Sequence, residues 1–249
     1  MRQNFKLNIA YDGSRYYGWE HQPGIELTIQ GKIETVLQRM LASDEIPEVI
    51  CCGRTDAGVH AKAMIANVWL DTALNPTEIR DYLNHYLPDD ICVNEVTIAA
   101  ERFHARYNAT GKTYCYTCYY GDTKPVFDRK YVYVLDKKPD IDLMREAAGL
   151  IVGEHDFAAF SSNPKMKKST IRIVDSIDIK VKGPYITFTY HGTGFLQHMV
   201  RILTGTLLEV GFGKRKPDTI PELFDSRDRK AAGFTAPAQG LCMMKVDYN

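Results

Sequence analysis

The residue types that can do chemistry at close spacing fall together in Gly53-Arg54-Thr55-Asp56-Ala57-Gly58-Val59-His60-Ala61. An apolar stretch, Val49 to Cys52, runs into this segment, which has glycine on both sides of an Arg/Asp pair. Glycine permits tight turns and close approach of a ligand to the backbone, so Asp56 is expected where a large substrate can reach it. An aspartate ordinarily titrates near about 3.9, and a neighbouring cation lowers that value. Asp56 is therefore expected to be ionised at neutral pH, which suits a nucleophile or base and not an acid. Spacing alone leaves an alternative open, in which Asp56 forms an Asx turn or an ion pair with Arg54, as many loop aspartates do. A metal-dependent aspartyl phosphotransferase would want a second acidic residue two positions on, and that position is Gly58.

Other candidate groups say less. Cys115-x-x-Cys118 has the spacing of half a metal site, but such sites usually have a second Cys or His pair, and a continuous strand turns residues three apart to opposite faces. No metal is expected. Six cysteines in 249 residues are too sparse for a disulfide scaffold, and the adjacent Cys51 and Cys52 read as buried thiols. Lys plus Arg and Asp plus Glu both total 31, so the net charge says nothing of a polyanionic partner and local clusters carry that question. Three clusters stand out: Arg102, Arg106 and Lys112; Lys165, Lys167, Lys168 and Arg172; and Lys214, Arg215 and Lys216. Each fits phosphate contact, although any one lysine run can be no more than a solvated surface.

The elements that must position these groups follow from periodicity. Hydrophobic residues at 45% and charged residues at 25% are ordinary for a globular protein. A chain of this length lies near the size at which one core divides into two. Phe5, Leu7, Ile9 and Tyr11 alternate as a half-buried strand that ends at Asp12-Gly13-Ser14. Thr28 is an N-cap for a helix carrying Ile33, Val36, Leu37, Met40 and Leu41. Strands are predicted at Val49 to Cys52 and Met64 to Leu70. Asn75-Pro76 with Glu78 starts a helix that Leu87-Pro88-Asp89-Asp90 ends. A strand at Ile91 to Ile98, a connection through Phe103 to Tyr107 and a Tyr-rich strand from Lys112 to Tyr120 come next.

Further strands are predicted at Tyr131 to Leu135, Ile171 to Val181, Tyr185 to His191 and Leu241 to Val246. The second and third of these form a hairpin across Gly183-Pro184. Helices are predicted from about Asp140 to Val152 and from Phe195 to Val210, the latter buried and stopped by Gly211 and Gly213. Strands and helices mix without strict alternation, so the class is α+β with antiparallel sheets, divided into domains 1–105, with the catalytic loop, and 106–249. No apolar run approaches the roughly 20 residues of a membrane helix, and the first residues lack a signal-peptide pattern. A cytoplasmic protein with no membrane partner is expected.

Several short motifs occur in one order almost end to end: Tyr11-Asp12-Gly13, Tyr16-Tyr17-Gly18-Trp19, Gly53 to His60, Phe103-His104-Ala105-Arg106, Tyr114-x-Tyr116, Gly153-Glu154-His155-Asp156-Phe157, Phe195 with His198-Met199-Val200-Arg201, and Ala236-Pro237-Ala238 with Gly240-Leu241. In these the chain resembles the tRNA pseudouridine synthases of the TruA type. The resemblance implies the pseudouridine synthase fold, two mixed α/β halves with antiparallel sheets flanked by helices and a central cleft. It implies isomerisation of uridine to pseudouridine at positions 38, 39 and 40 of the tRNA anticodon stem-loop. The N1–C1′ bond breaks, the base rotates, and C5 is rejoined to C1′, without cofactor or metal.

By the same resemblance Asp56 is the catalytic carboxylate, attacking sugar or base or taking part in proton removal. Arg201, a charge in an apolar run that needs a partner, would pair with it. Tyr114 would stack on the target base, with Tyr116 as the other candidate on that strand face. Arg54 would help hold the extruded nucleotide, Leu241 would contact the substrate, and His60 would brace the loop. Phe103, His104, Ala105, Arg106 and Tyr107, and also Pro164, Lys165, Lys167 and Lys168, align with segments that touch tRNA. Family members are homodimers in which one tRNA contacts both subunits.

The chain departs from the family at Trp19-Glu20-His21-Gln22, where Gln more often stands beside the Trp, and at Gln197, where His is common. A non-catalytic tRNA-binding protein is the rival reading.

Overall fold

The computed structural model describes residues 2–163 and 169–249. Pro164, Lys165, Lys167 and Lys168, read above as RNA contacts, lie outside the described residues. The elements in chain order are β1 (Arg2–Tyr11), α1 (Ile29–Leu41), β2 (Ile50–Cys51), β3 (His60–Asp71), α2 (Pro76–Tyr86), β4 (Ile91–Ile98), β5 (Ala109–Tyr119), β6 (Tyr133–Val134), α3 (Ile141–Ile151), β7 (Gly153–Asp156), β8 (Ile171–Lys182), β9 (Tyr185–Gly192), α4 (Met199–Gly211), α5 (Ile220–Ser226) and β10 (Leu241–Tyr248). The class is α+β. Two compact units result, Met1–Thr110 with Cys242–Asn249, and Gly111–Leu241. The last eight residues thus return to the first unit, which a boundary drawn along the chain cannot express. Among the described residues no helix is long and apolar enough to cross a membrane.

In the first unit the strands run in the order β4, β1, β3, β10. β1 pairs antiparallel with both β3 and β4, and its alternating Phe5, Leu7, Ile9 and Tyr11 are buried on one face. β2 adds antiparallel to β3. Thr28 caps α1 by accepting the Gly31 N–H at 3.2 Å, and Ile29, Ile33, Val36 and Leu37 form its buried stripe. α2 opens with a reciprocal cap: Asn75 Oδ1 accepts from Thr77 and Glu78 N–H, and Glu78 Oε2 accepts from Asn75 N–H.

The second unit orders its strands β5, β9, β8, β7. β8 and β9 form the expected antiparallel hairpin. Tyr116 and Cys118 of β5 and Phe188 and Tyr190 of β9 are fully buried, and the Tyr190 hydroxyl meets Thr204 Oγ1 of α4 at 2.8 Å. Two glycine contacts seat α4. A Cβ on Gly205 would lie 1.8 Å from the Phe234 carbonyl oxygen, and one on Gly233 would lie 2.6 Å from Thr206 Cα.

Several expectations need correction. α4 begins at Met199, not at Phe195, because His198 takes a left-handed conformation (φ 61°) and the Met199 N–H turns back to the Leu196 carbonyl. Of residues 195–198 only Leu196 is buried and Gln197 is exposed, so this stretch is a turn ahead of the helix. The strand at Tyr131 to Leu135 shrinks to Tyr133–Val134, and β7 and α5 were not anticipated. The sheets are not wholly antiparallel either: β10 joins β3 in parallel, Cys242 opposite His60, and β6 joins β5 in parallel.

Gly205→Ala is expected to destabilise the second unit by about 2 kcal/mol or more, since a tightly packed site resists added volume. A urea unfolding series would check this; a midpoint equal to that of the parent chain would contradict the packing described.

Candidate active site

Asp56 lies half-buried in the connection between β2 and β3. Its position follows from the sheet. Tyr11, the last residue of β1, pairs with Ala61 near the start of β3 after a register shift that follows Ile9. The chain leaving β1 and the chain entering β3 are thereby brought to the same end of the sheet. There residues 12–19 press on residues 55–60 closely enough to need glycine. A Cβ on Gly13 would sit 2.0 Å from the Val59 carbonyl oxygen, and one on Gly18 would sit 2.7 Å from that of Thr55. Gly18 also has φ +95° and Gly58 φ +78°, conformations that glycine adopts without steric cost.

Hydrogen bonds complete the clamp. The Trp19 N–H donates to the Thr55 carbonyl at 3.1 Å, the Gly58 N–H to Tyr16 at 3.3 Å, and the Val59 N–H back to Asp56 at 3.2 Å. The Thr55 side chain, nearly buried, shares a 2.7 Å hydrogen bond with the Tyr11 hydroxyl. The Tyr16 hydroxyl donates to Asp90 at 2.5 Å, and burial together with that bond pushes its phenol up to about 12. It is therefore a fixed donor at neutral pH.

His60 is 5% exposed. Its Nδ1 accepts the Gly13 N–H at 3.1 Å, and Asp12 Oδ1 lies 3.2 Å from the same nitrogen. A nitrogen that accepts from Gly13 has no proton to donate to Asp12, so the well-directed Gly13 bond decides the tautomer and the Asp12 contact is not an ion pair through that atom. Asp12 Oδ1 accepts instead from the Ser14 N–H and hydroxyl. His60 braces the loop.

Arg54, read from the resemblance as a residue that helps hold the extruded nucleotide, pairs its guanidinium with Glu20, both side chains being exposed. Glu20 is a site neighbour that sequence reasoning missed. The Tyr11–Thr55 bond was also missed, because nothing local in the sequence places the end of β1 against residue 55.

In the second unit Tyr114 of β5 is 8% exposed and meets the Phe195 ring edge-on, centroids 5.3 Å apart. Tyr116 is fully buried, and its hydroxyl donates to the Pro237 carbonyl at 2.8 Å. Burial raises its phenol far above the ordinary range. A Cβ on Gly240 would lie 2.6 Å from this ring, so Tyr116 is packing. Arg201 is in the first turn of α4, and its Nε donates to the Ala236 carbonyl at 2.7 Å while the Ala236 N–H donates to the Arg201 carbonyl. Leu241 is buried at the start of β10.

Residues 103–107 form an ordered turn in the first unit. Ala105 is fully buried, whereas Arg106 and Tyr107 are exposed. His104 Nδ1 accepts the N–H groups of Arg106 and Tyr107, and its ring lies against that of Tyr107, centroids 4.2 Å apart.

Fold and site define a class first: an α+β protein with a carboxylate on a rigidly clamped loop, suited to nucleophilic or base chemistry. A family model described as tRNA pseudouridine synthase matches residues 8–108 and 147–249. The chain is 47% identical over 245 residues to tRNA pseudouridine synthase A of Bacillus sp. (strain KSM-64), covering 98% of this chain and 99% of that one. It is 43% identical over 246 residues to tRNA pseudouridine synthase A 2 of Clostridium perfringens (99% and 100% covered), and 40% over 245 to that of Bacillus anthracis (98% and 99%). The chain belongs to the tRNA pseudouridine synthase family, and with that it is an enzyme of the isomerase class.

Gly18→Ala should shift the Asp56 loop while leaving the sheet intact. A displacement of about 1 Å at a reacting group can cost about a hundredfold in rate, so kcat is expected to fall on that order. Single-turnover kinetics on a tRNA transcript would measure it, and undiminished turnover would contradict the clamp.

Proposed function

We propose that this chain converts uridine to pseudouridine at positions 38, 39 and 40 of the tRNA anticodon stem-loop, with Asp56 as the catalytic carboxylate. The observation that carries the proposal is the clamp on Asp56, in a chain that belongs to the tRNA pseudouridine synthase family. A nucleophile or base gains most when its position is fixed before substrate arrives.

In the reaction the N1–C1′ bond breaks, the base turns, and a C5–C1′ bond forms. C5 loses a proton and N1 gains one, so atoms and electrons balance without oxidant, reductant or leaving group, and the chemistry asks for no cofactor. Asp56 acts on sugar or base as nucleophile, or takes part in proton removal. In this reading Arg201 is the cation that serves the Asp56 carboxylate. Tyr114 stacks on the everted base, which recovers about 1 to 3 kcal/mol of lost stacking. Leu241 adds an apolar contact, and Arg54 leaves Glu20 to hold the displaced nucleotide.

Arg106 and the lysines of 164–168 contact phosphates, with Phe103, His104, Ala105 and Tyr107 shaping the first of these two surfaces. The active form is a homodimer in which one tRNA touches both subunits. Joining two basic surfaces gives a chain of zero net charge a wider field for a polyanion. The cytoplasm is its compartment.

Asp56→Asn is nearly isosteric and is expected to leave tRNA affinity within about threefold, because it removes the reacting charge and not the contact surface. Pseudouridine formation should be abolished. Unmodified tRNA transcripts would be incubated with each protein, and pseudouridines labelled chemically and mapped by reverse transcription. Turnover retained by Asp56→Asn would remove its assigned role. Absence of new sites in the anticodon arm with the parent chain would remove the substrate assignment.

A further inference from the structure

Burying a polar side chain costs free energy unless its hydrogen bonds are met, and two buried amides occupy the face of the first unit's sheet opposite that of Phe5, Leu7 and Ile9. On β1, Phe5, Leu7, Ile9 and Tyr11 take one face, so Asn4 and Lys6 take the other. Register sets Asn67 of β3 directly opposite Lys6. Asn4 is 2% and Asn67 1% exposed, because the segment 99–107 lies over them.

Every amide atom in this seat has a directed partner. Asn4 Nδ2 donates to the carbonyls of Ala100 at 3.1 Å and Phe103 at 2.8 Å. Asn4 Oδ1 accepts from Asn67 Nδ2 at 3.0 Å, and Asn67 Oδ1 accepts the Ala105 N–H at 2.8 Å. The other backbone group of Ala105 is also held, since the Tyr248 hydroxyl donates to its carbonyl at 2.7 Å. Burial raises the Tyr248 phenol well above its ordinary range, so it remains a donor. The Lys6 ammonium lies over the rings of Phe103 and Tyr248, 5.5 and 4.7 Å from their centroids.

The network fixes both amide orientations. The Ala105 N–H demands an acceptor, which turns Asn67 Nδ2 to Asn4 and leaves Asn4 Nδ2 for the two carbonyls. Two leucines would fill similar space in a sheet face and hold nothing in register. What the amides provide is a backbone held at Ala100, Phe103 and Ala105, immediately beside a solvent-facing Arg106 and a Tyr107 that is 73% exposed. A cation and an aromatic face preset side by side suit one partner class, a nucleic-acid strand that offers a phosphate to the first and a base or ribose to the second.

We infer that Asn67, together with Asn4 and Tyr248, is a positioning residue that presets the 103–107 turn for RNA. This rests on the proposal that the turn contacts tRNA. Presetting lowers the ordering cost of binding, so its loss appears in KM and not in the chemical step.

The test is a double-mutant cycle in the full-length chain, with kcat and KM measured on an unmodified tRNA transcript. Asn67→Leu is expected to raise KM about tenfold with kcat within about twofold, the pattern of a lost binding contribution. Arg106→Ala should raise KM in the parent chain and add almost nothing in the Asn67→Leu background, because residues acting through one another are non-additive. Independent, additive effects in a folded Asn67→Leu protein would overturn the inference, since a merely structural amide would not blunt Arg106. Should Asn67→Leu fail to fold, the same cycle is run with Tyr248→Phe, which deletes one hydroxyl, and additivity there overturns it equally. If Arg106→Ala and Tyr107→Ala both leave KM unchanged in the parent chain, the turn does not contact tRNA and the underlying proposal is what fails.

Discussion

Two backbone segments of the first unit approach until one of them has no room for a Cβ at Gly13 or Gly18, and the Asp56 loop owes its shape to that contact. Gly13 lies against Val59 and Gly18 against Thr55, on either side of Asp56. The approach is possible because β1 ends and β3 begins as neighbours in the sheet. It is locked by backbone bonds from Trp19 and Gly58 and by the Gly13 N–H on His60. A loop at the ends of strands would ordinarily be the mobile part of a domain. Here it is tied by two backbone–backbone bonds and by the Gly13 N–H on the His60 ring, the fixed position that the role proposed for Asp56 calls for.

The same geometry bears on how a neutral chain meets a polyanion. Arg54 is not a bare cation, because Glu20 holds it. An exposed ion pair of this kind is worth only about 0 to 1 kcal/mol, so exchanging a carboxylate for a phosphate costs little. On the 103–107 turn the arrangement differs: the backbone is anchored beneath by Asn4, Asn67 and Tyr248, and Arg106 is left facing solvent. One basic group is thus exchangeable and the other preset.

In the second unit, close packing again does the positioning. α4 approaches the Gly233–Phe234 backbone through Gly205, and that approach brings Arg201 to the Ala236 carbonyl, which satisfies its Nε. Tyr114 and Tyr116 share a strand face yet have different surroundings. Tyr116 is buried against Gly240 and Pro237, while Tyr114 meets Phe195 beside the turn into α4.

Much of this was legible in the order of residues. Period-two alternation placed β1, the Gly183-Pro184 turn placed the β8–β9 hairpin, capping residues placed α1 and α2, and the ordered motifs identified the family. These are local signals, produced by backbone sterics and by which face of an element is apolar. The start of α4 was hidden because nothing in the residue types of 195–198 marks the left-handed His198 that turns the chain into the helix. Glu20 as the partner of Arg54, the parallel return of β10 to β3, and the burial of Asn4 and Asn67 on a face that reads as polar were decided only in three dimensions. Each depends on which strand lies beside which and in what register, and register is set by the packing of residues far apart in the chain, which no local pattern records.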